Sequence, residues 1–156
     1  MLEEGFISKG LKVGNWMGYS NSGIAIYKEK YENGKLIQGI SYDSIGNSYF
    51  YTNITELPTI YGGDSALKQY LTAELNYPEA AQKNSFYGRA IVQLTIGKNG
   101  ELLKADSFSK IGFGCDQEAL RVIKNWKQFI PGKTRGQLDN MNMFIFIEFP
   151  PENNLK

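Results

Sequence analysis

The chain contains no histidine. That absence removes Ser-His-Asp and Cys-His nucleophile systems and any zinc site built on imidazole. There is one cysteine, Cys115, so no intrachain disulfide can close, and its thiol is expected to be a buried structural group. Charge of one sign is also missing. Seventeen Lys and Arg against sixteen Asp and Glu leave +1, split as five and six up to Gly62 and twelve and ten beyond it. No dense basic stripe results, so nucleic acid is not an expected partner. Every apolar run falls short of the roughly 18 residues that cross a membrane. The opening MLEEGFISKG is acidic and lacks the apolar stretch of a signal peptide. Read literally the chain is unexported, although Met1 also fits a cut in a longer protein. Gly112-Phe113-Gly114 lacks the third glycine and the Lys-Ser/Thr pair of a phosphate loop, so no cofactor is expected.

What is present suits one ordinary domain or two small ones, at 156 residues and 42% hydrophobic content. The N-terminal third is repetitive: Tyr19-x-x-x-Gly23 returns as Tyr42-x-x-x-Gly46. Between the two copies, apolar and polar residues alternate on either side of Asn33-Gly34. Because both residues tolerate φ > 0, that pair predicts a hairpin. Gly14, Gly23, Gly34, Gly39 and Gly46 are expected at turns and bends. The rhythm Gly14-Asn15-Trp16, Tyr19, Gly23, Tyr31, Asn33-Gly34-Lys35 resembles MORN-type repeats of the YwqK-like variety. Two units are too few to bury a core by stacking, so a cap or further repeats are expected. The aromatics Trp16, Tyr19, Tyr27, Tyr31, Tyr42, Tyr49, Phe50 and Tyr51 read either as the core of a thin sheet or as a ligand-stacking surface.

Pro58 and Tyr61-Gly62-Gly63 mark residues 53–62 as a linker. Asp64 is expected to cap the helix carrying Leu67, Tyr70, Leu71 and Leu75 on one stripe. Asn76-Tyr77 ends that helix, because the residue before Pro78 avoids the α region. A second short helix, 79–83, follows. Ala90, Val92, Leu94 and Ile96 then alternate as a half-buried strand, and Lys98-Asn99-Gly100 turns the chain into a partner strand ending at Ser107. Asp116 is expected to cap a helix whose Ala119, Val122, Ile123 and Trp126 face the sheet, with Pro131-Gly132 ending that element. In the last strand Met143, Ile145, Ile147 and Phe149 share one face, and Phe144, Phe146 and Glu148 the other. The two exposed phenylalanines need a lid.

These pieces, namely Tyr77-Pro78-x-x-Ala81, Gly88, Gly100, Glu118-Ala119-Leu120, Trp126, Pro131-Gly132 and the terminal β-run, resemble the C-terminal domain of TonB over residues 60–150, in the form common in Bacteroidetes. The resemblance implies an α+β fold, a small antiparallel sheet with helices on one face, behind a β-hairpin or meander segment. It implies a protein-binding module without catalysis, whose sheet edge accepts an extended peptide from the N-terminal segment of a TonB-dependent outer-membrane transporter. That edge would be the last strand: Asn142, Met143, Phe144, Ile145, Phe146, Ile147, Glu148 and Phe149. It also implies a periplasmic or membrane-associated location. The organisation expected is a repeat segment over 1–52, the linker over 53–62, the TonB-like domain over 63–150 and a tail over 151–156.

An exposed edge offers unpaired N–H and C=O groups, so it equally permits a homodimer, and the alternative is an edge covered by the chain's own N-terminal repeats. Replacing Ile145 by proline is expected to remove an edge donor or break the strand. A membrane anchor and a Pro-rich spacer are not visible, which favours an interaction module over an energy transducer. Alternatives are a structural scaffold or an antitoxin-like regulatory binder of a soluble partner. Asp106, Asp116 and Glu118 are the only carboxylates near one turn. A pair of carboxylates can do acid–base work, but a capping role for Asp116 and a first-turn role for Glu118 explain them better.

Overall fold

A computed structural model of the chain describes residues 2–127 and 129–151. Its elements are β1 (Leu2–Ser8), β2 (Leu11–Tyr19), β3 (Ala25–Glu32), β4 (Lys35–Tyr42), β5 (Ser48–Tyr51) and β6 (Thr55–Glu56). Then come β7 (Thr59–Ile60), α1 (Gly63–Glu74), α2 (Glu79–Lys83), β8 (Gly88–Ile96), β9 (Leu102–Ser107), α3 (Cys115–Asn125) and β10 (Phe129–Ile130). The described chain closes with β11 (Gly132–Thr134), β12 (Gln137–Asp139) and β13 (Met141–Phe149). The fold is α+β with antiparallel sheets and a leading meander, the class expected. Of the expected tail, only Pro151 is among the described residues. The chain divides into two compact units, one up to Glu56 together with Lys133–Leu138, the other Leu57–Gly132 together with the chain from Asp139 onward.

The first unit is a five-stranded meander in the order β1-β2-β3-β4-β5. Asn33 and Gly34 hold positive φ (50° and 79°) at the β3–β4 turn, where the hairpin was expected. The 23-residue echo has a simple origin: Tyr19 and Tyr42 end β2 and β4, and Gly23 and Gly46 sit in the two equivalent turns. Gly39 is not at a turn. It lies inside β4 opposite Tyr51, where an added Cβ would stand 2.3 Å from the tyrosine ring. Gly18 serves Tyr27 in the same way, at 2.1 Å. The missing side chains make room for aromatic rings laid flat across a neighbouring strand, so these glycines are steric rather than conformational requirements.

That aromatic face is the core of the first unit. Trp16, Tyr27, Tyr31 and Tyr51 are buried while Phe50 is exposed, which favours the thin-sheet reading for these four. The hairpin of β11 and β12 belongs to the same unit; β11 pairs with β6, Lys133 opposite Glu56 and Thr134 opposite Thr55. The stretch 53–62 thus carries two short strands, β6 and β7.

The second unit holds a three-stranded sheet in the order β13-β8-β9. Ala90, Val92, Leu94 and Ile96 of β8 are fully buried beside Ile145, Ile147 and Phe149 of β13 and Ala119, Val122 and Ile123 of α3. Two capping expectations fail. Gly62 and Gly114, both left-handed, occupy the N-cap positions of α1 and α3, and Asp64 and Asp116 lie within the first turns. A glycine at φ of 81–83° redirects the chain without steric cost, and each carboxylate still complements the helix dipole from inside. The third helix also ends sooner than expected. Trp126 is already extended, and Phe129–Ile130 pairs with β7 before Pro131 is reached.

Candidate functional site

The sheet of the second unit has two outer strands, and they differ. On β9 the ladder to β8 is interrupted between Thr95 and Ile96, and Lys104 projects from the strand, paired with Asp106 at 2.6 Å. A bulge and a lysine are the usual means of blunting an edge. By contrast β13 pairs with β8 through nine consecutive residues, Met141 opposite Ile96 to Phe149 opposite Gly88, without a register shift. It contains no lysine and no proline. Among the described residues no strand pairs with its outer side.

Which backbone groups face outward follows from the neighbour. Ile91 accepts from Phe108 N–H (2.8 Å) and donates its own N–H to Ser109 Oγ (2.9 Å), so its polar groups point toward β9. Strand alternation then turns Ala90, Val92, Leu94 and Ile96 toward β13, where they meet Ile147, Ile145, Met143 and Met141. Asn142, Phe144, Phe146 and Glu148 therefore present their N–H and C=O groups to the open side. Proline at Ile145 would remove no edge donor, because the Ile145 N–H belongs to the ladder with Val92; it would break that ladder instead, and the edge donors lie at Asn142, Phe144, Phe146 and Glu148.

Along that open side runs a groove of about 410 Å³ between β13 and α1. Leu67 and Leu71 of α1, with Leu75 just beyond its end, form one wall, Ile60 and Met143 are apolar lining, and Asp64, Lys68 and Glu148 are its charged lining residues. Side chains on the opposite face of the sheet remain solvent-accessible. Phe144 meets Phe108 edge-on at 5.3 Å, and Arg89 lies 5.8 Å from the ring of Phe146. The two phenylalanines are 44% and 55% exposed, so these contacts shield them only in part.

The other residues singled out from sequence have structural duties. Tyr77 donates its hydroxyl to the carbonyls of Phe86 and Ala81, closing the loop around α2, and Ala81 is fully buried. Pro78 is the residue before α2 and packs 3.3 Å from where a Gly114 Cβ would be. Gly88 starts β8 against the ring of Phe86, and Gly100 (φ 80°) lets the turn pass the carbonyl of Phe129. Trp126 packs edge-on against Tyr70 at 4.8 Å. Pro131-Gly132 joins β10 to β11.

Each of the three carboxylates is engaged by partners of its own. Asp116 accepts from Ser107 and Ser109 hydroxyls and from Gly112 N–H. Glu118 accepts from Asn76 N–H at 2.8 Å and from both Nε and Nη2 of Arg121. Hydrogen bonding from Arg121, then from Asn76, holds its carboxyl below the usual range despite burial. Asp106 sits in its surface pair with Lys104. Cys115 is fully buried and burial raises its thiol pKa, the inert end of cysteine chemistry. Among the described residues no group of acidic or sulfur ligands could hold a metal ion.

The family model described as Gram-negative bacterial TonB protein C-terminal matches residues 73–150, half of the chain. The chain belongs to that family. No curated protein and no solved structure matched it. The TonB C-terminal family is one of non-catalytic protein-interaction domains, and the matched stretch contains all of β13 and only the last two residues of α1. No described helix is long and apolar enough to cross a membrane.

Sequence reasoning missed two things. The groove wall on α1 was read only as a packing stripe. Arg135 and its hairpin were passed over, although Arg135-Gly136 is a turn signal and Glu29 stands between Tyr27 and Tyr31 on an inward-facing strand position.

Proposed function

We propose that this chain binds an extended peptide by strand addition to β13, as a TonB-like interaction module working on the periplasmic side of the envelope. The single observation that carries this is β13 itself: a nine-residue, unbulged, unguarded outer strand facing an apolar groove. Four residues, Asn142, Phe144, Phe146 and Glu148, offer main-chain donors and acceptors. About half a dozen added hydrogen bonds, each worth about 0.5–1.5 kcal/mol, suit micromolar binding once ordering costs are met. The ligand fitting family membership is the N-terminal segment of an outer-membrane transporter. A second copy of the chain at the same edge would compete with it. The MORN-like segment is a supporting repeat, and the Bacteroidetes-type organisation, repeats over 1–52 before a binding domain over 63–150, belongs to the same proposal.

A scaffold reading has one observation in its favour: Lys133–Leu138, from within the family-matched stretch, folds with the meander. Comparison of Phe146→Pro with wild type tests the strand-addition reading. Removing an outward N–H leaves the β8 ladder intact, so the variant should stay folded and lose peptide binding. A folded Phe146→Pro chain that binds transporter-derived peptides as well as wild type would rule it out.

A further inference from the structure

We infer that the open side of β1 is a docking edge for an extended segment of a partner chain, one that sets an aspartate or glutamate opposite Gly5. This edge belongs to the first unit and is independent of β13.

Two rows cross the meander on its aromatic face. In the first, Glu3, Gly18 and Tyr27 stand opposite one another on β1, β2 and β3. The Tyr27 ring lies against Gly18, and its hydroxyl donates to Glu3. In the second, Glu29, Gly39 and Tyr51 align on β3, β4 and β5. Tyr51 lies against Gly39 and donates to Glu29 at 2.7 Å. Each ring crosses a bare glycine and finds a carboxylate two strands away. A third row begins in the same way. The Trp16 ring of β2 lies against Gly5 of β1, where an added Cβ would stand 2.3 Å from it. Here the row stops, because β1 is the outer strand. Trp16 Nε1 is the one buried side-chain nitrogen or oxygen without a hydrogen-bond partner among the described residues. A buried N–H is normally paired and is costly when it is not, so what this row lacks is its acceptor.

Charge points to the same ligand. Lys12 Nζ lies 4.1 Å from the Trp16 ring centre, as the Arg135 guanidinium lies 3.8 Å from that of Tyr27. Lys12 also pairs with Glu3 at 3.0 Å, so an entering carboxylate would meet a donor and a cation that already holds carboxylate. All seven residues of β1 are exposed, among them Leu2, Phe6 and Ile7, and an added strand would cover that apolar surface. A second copy fits poorly. The antiparallel register that brings Glu3 of the copy to Gly5 also sets the two Glu4 residues face to face, and like charges directly opposite are destabilising.

The test uses the full chain and two capped nonapeptides, Thr-Val-Thr-Val-Glu-Val-Thr-Val-Thr and its counterpart with leucine for glutamate. The indole N–H resonance that disappears in Trp16→Phe reports Trp16, and amide shifts locate the contact. The glutamate peptide should shift the β1 amides, move that indole resonance and bind at least about tenfold more tightly than the leucine peptide. Trp16→Phe keeps a ring and loses the N–H, so it should abolish most of that preference. The peptide pair keeps the test valid if that variant folds poorly. Equal affinities, or β1 shifts with an unmoved indole, would overturn the acceptor row. Shifts on β13 alone would refute the β1 edge and leave strand addition at β13 standing. An absence of β1 shifts with either peptide at millimolar concentration would refute the β1 edge as well. Shifts of β1 that follow the chain's own concentration, without peptide, would replace the partner by a second copy.

Discussion

Arg135 donates from Nε to Oε1 of Glu29 at 2.9 Å, joining positions 106 residues apart. The Glu29 side chain is wholly inaccessible, whereas that of Arg135 is 21% exposed. The same carboxylate accepts from Tyr51 (2.7 Å) and Tyr31 (3.0 Å), and the Arg135 guanidinium lies 3.8 Å from the Tyr27 ring centre. Ser41 Oγ donates to the carbonyl of Arg135 at 2.7 Å, and Gln137 donates to Ser41. A charge buried this deeply is tolerable only while its partners stay in place.

Removing the cation should therefore cost more than its partly exposed position suggests. Arg135→Ala is expected to destabilise by about 3 kcal/mol, because Glu29 is left buried without its counter-charge. Glu29→Gln keeps one acceptor oxygen, for one of the two tyrosines, and removes the buried charge, so it should cost only about 1–2 kcal/mol. Denaturant midpoints of the three chains decide it, and equal losses would contradict the ranking.

Glycine in the meander strands has a steric purpose that single methyl groups can probe. Gly18→Ala would place a carbon 2.1 Å from the Tyr27 ring. A loss of about 1–3 kcal/mol is expected, typical of overpacking. Thermal unfolding of the variant checks this, and an unchanged midpoint would mean the ring has room to move.

Glu118 sets a low-pH dependence. Its folded carboxyl is held below the ordinary value of 4.5, chiefly by the hydrogen bond from Arg121. The resulting stabilisation is present above the unfolded carboxyl's pKa and is lost as pH falls through the lowered folded value. Wild type should exceed Glu118→Gln in stability at neutral pH, and the gap should close as both are titrated into acid. A gap constant with pH would contradict the assignment.

The buried tyrosines set the alkaline limit. Burial, followed by the hydrogen bond to Glu29, pushes Tyr31 up to about 12, and Tyr27 and Tyr51 move further in the same direction. A raised folded pKa favours the protonated form, so this stabilisation is present below the ordinary phenol value of 10.0 and is lost as pH rises through the folded values. Tyrosinate absorbance should show these three ionising late, together with unfolding. Early ionisation of all ten tyrosines in a folded chain would contradict the network.

Most of the second unit was legible because its periods are clean. Alternation from Ala90 to Ile96 and from Met143 to Phe149, and helical spacing from Ala119 to Ile123, all correspond to observed elements. Caps were misplaced because aspartate is the commoner capping residue, and only backbone geometry reveals that Gly62 and Gly114 turn the chain instead. The groove was not legible, since Leu67 and Leu71 look the same in sequence whether they pack inward or wall a cleft. The Glu29–Arg135 pair was beyond local reading. Glu29 is buried in step with Tyr27 and Tyr31 of β3, but nothing within a dozen residues names a cation from position 135.

The most direct test of the central claim is an amide-NMR titration of the whole chain with extended peptides from transporter N-termini. The account predicts shifts concentrated on Asn142, Phe144, Phe146 and Glu148 and on the α1 wall, with slowed exchange of the Phe144 and Phe146 N–H groups. Saturating binding that leaves those amides unshifted would contradict it, and so would an absence of shifts at millimolar peptide.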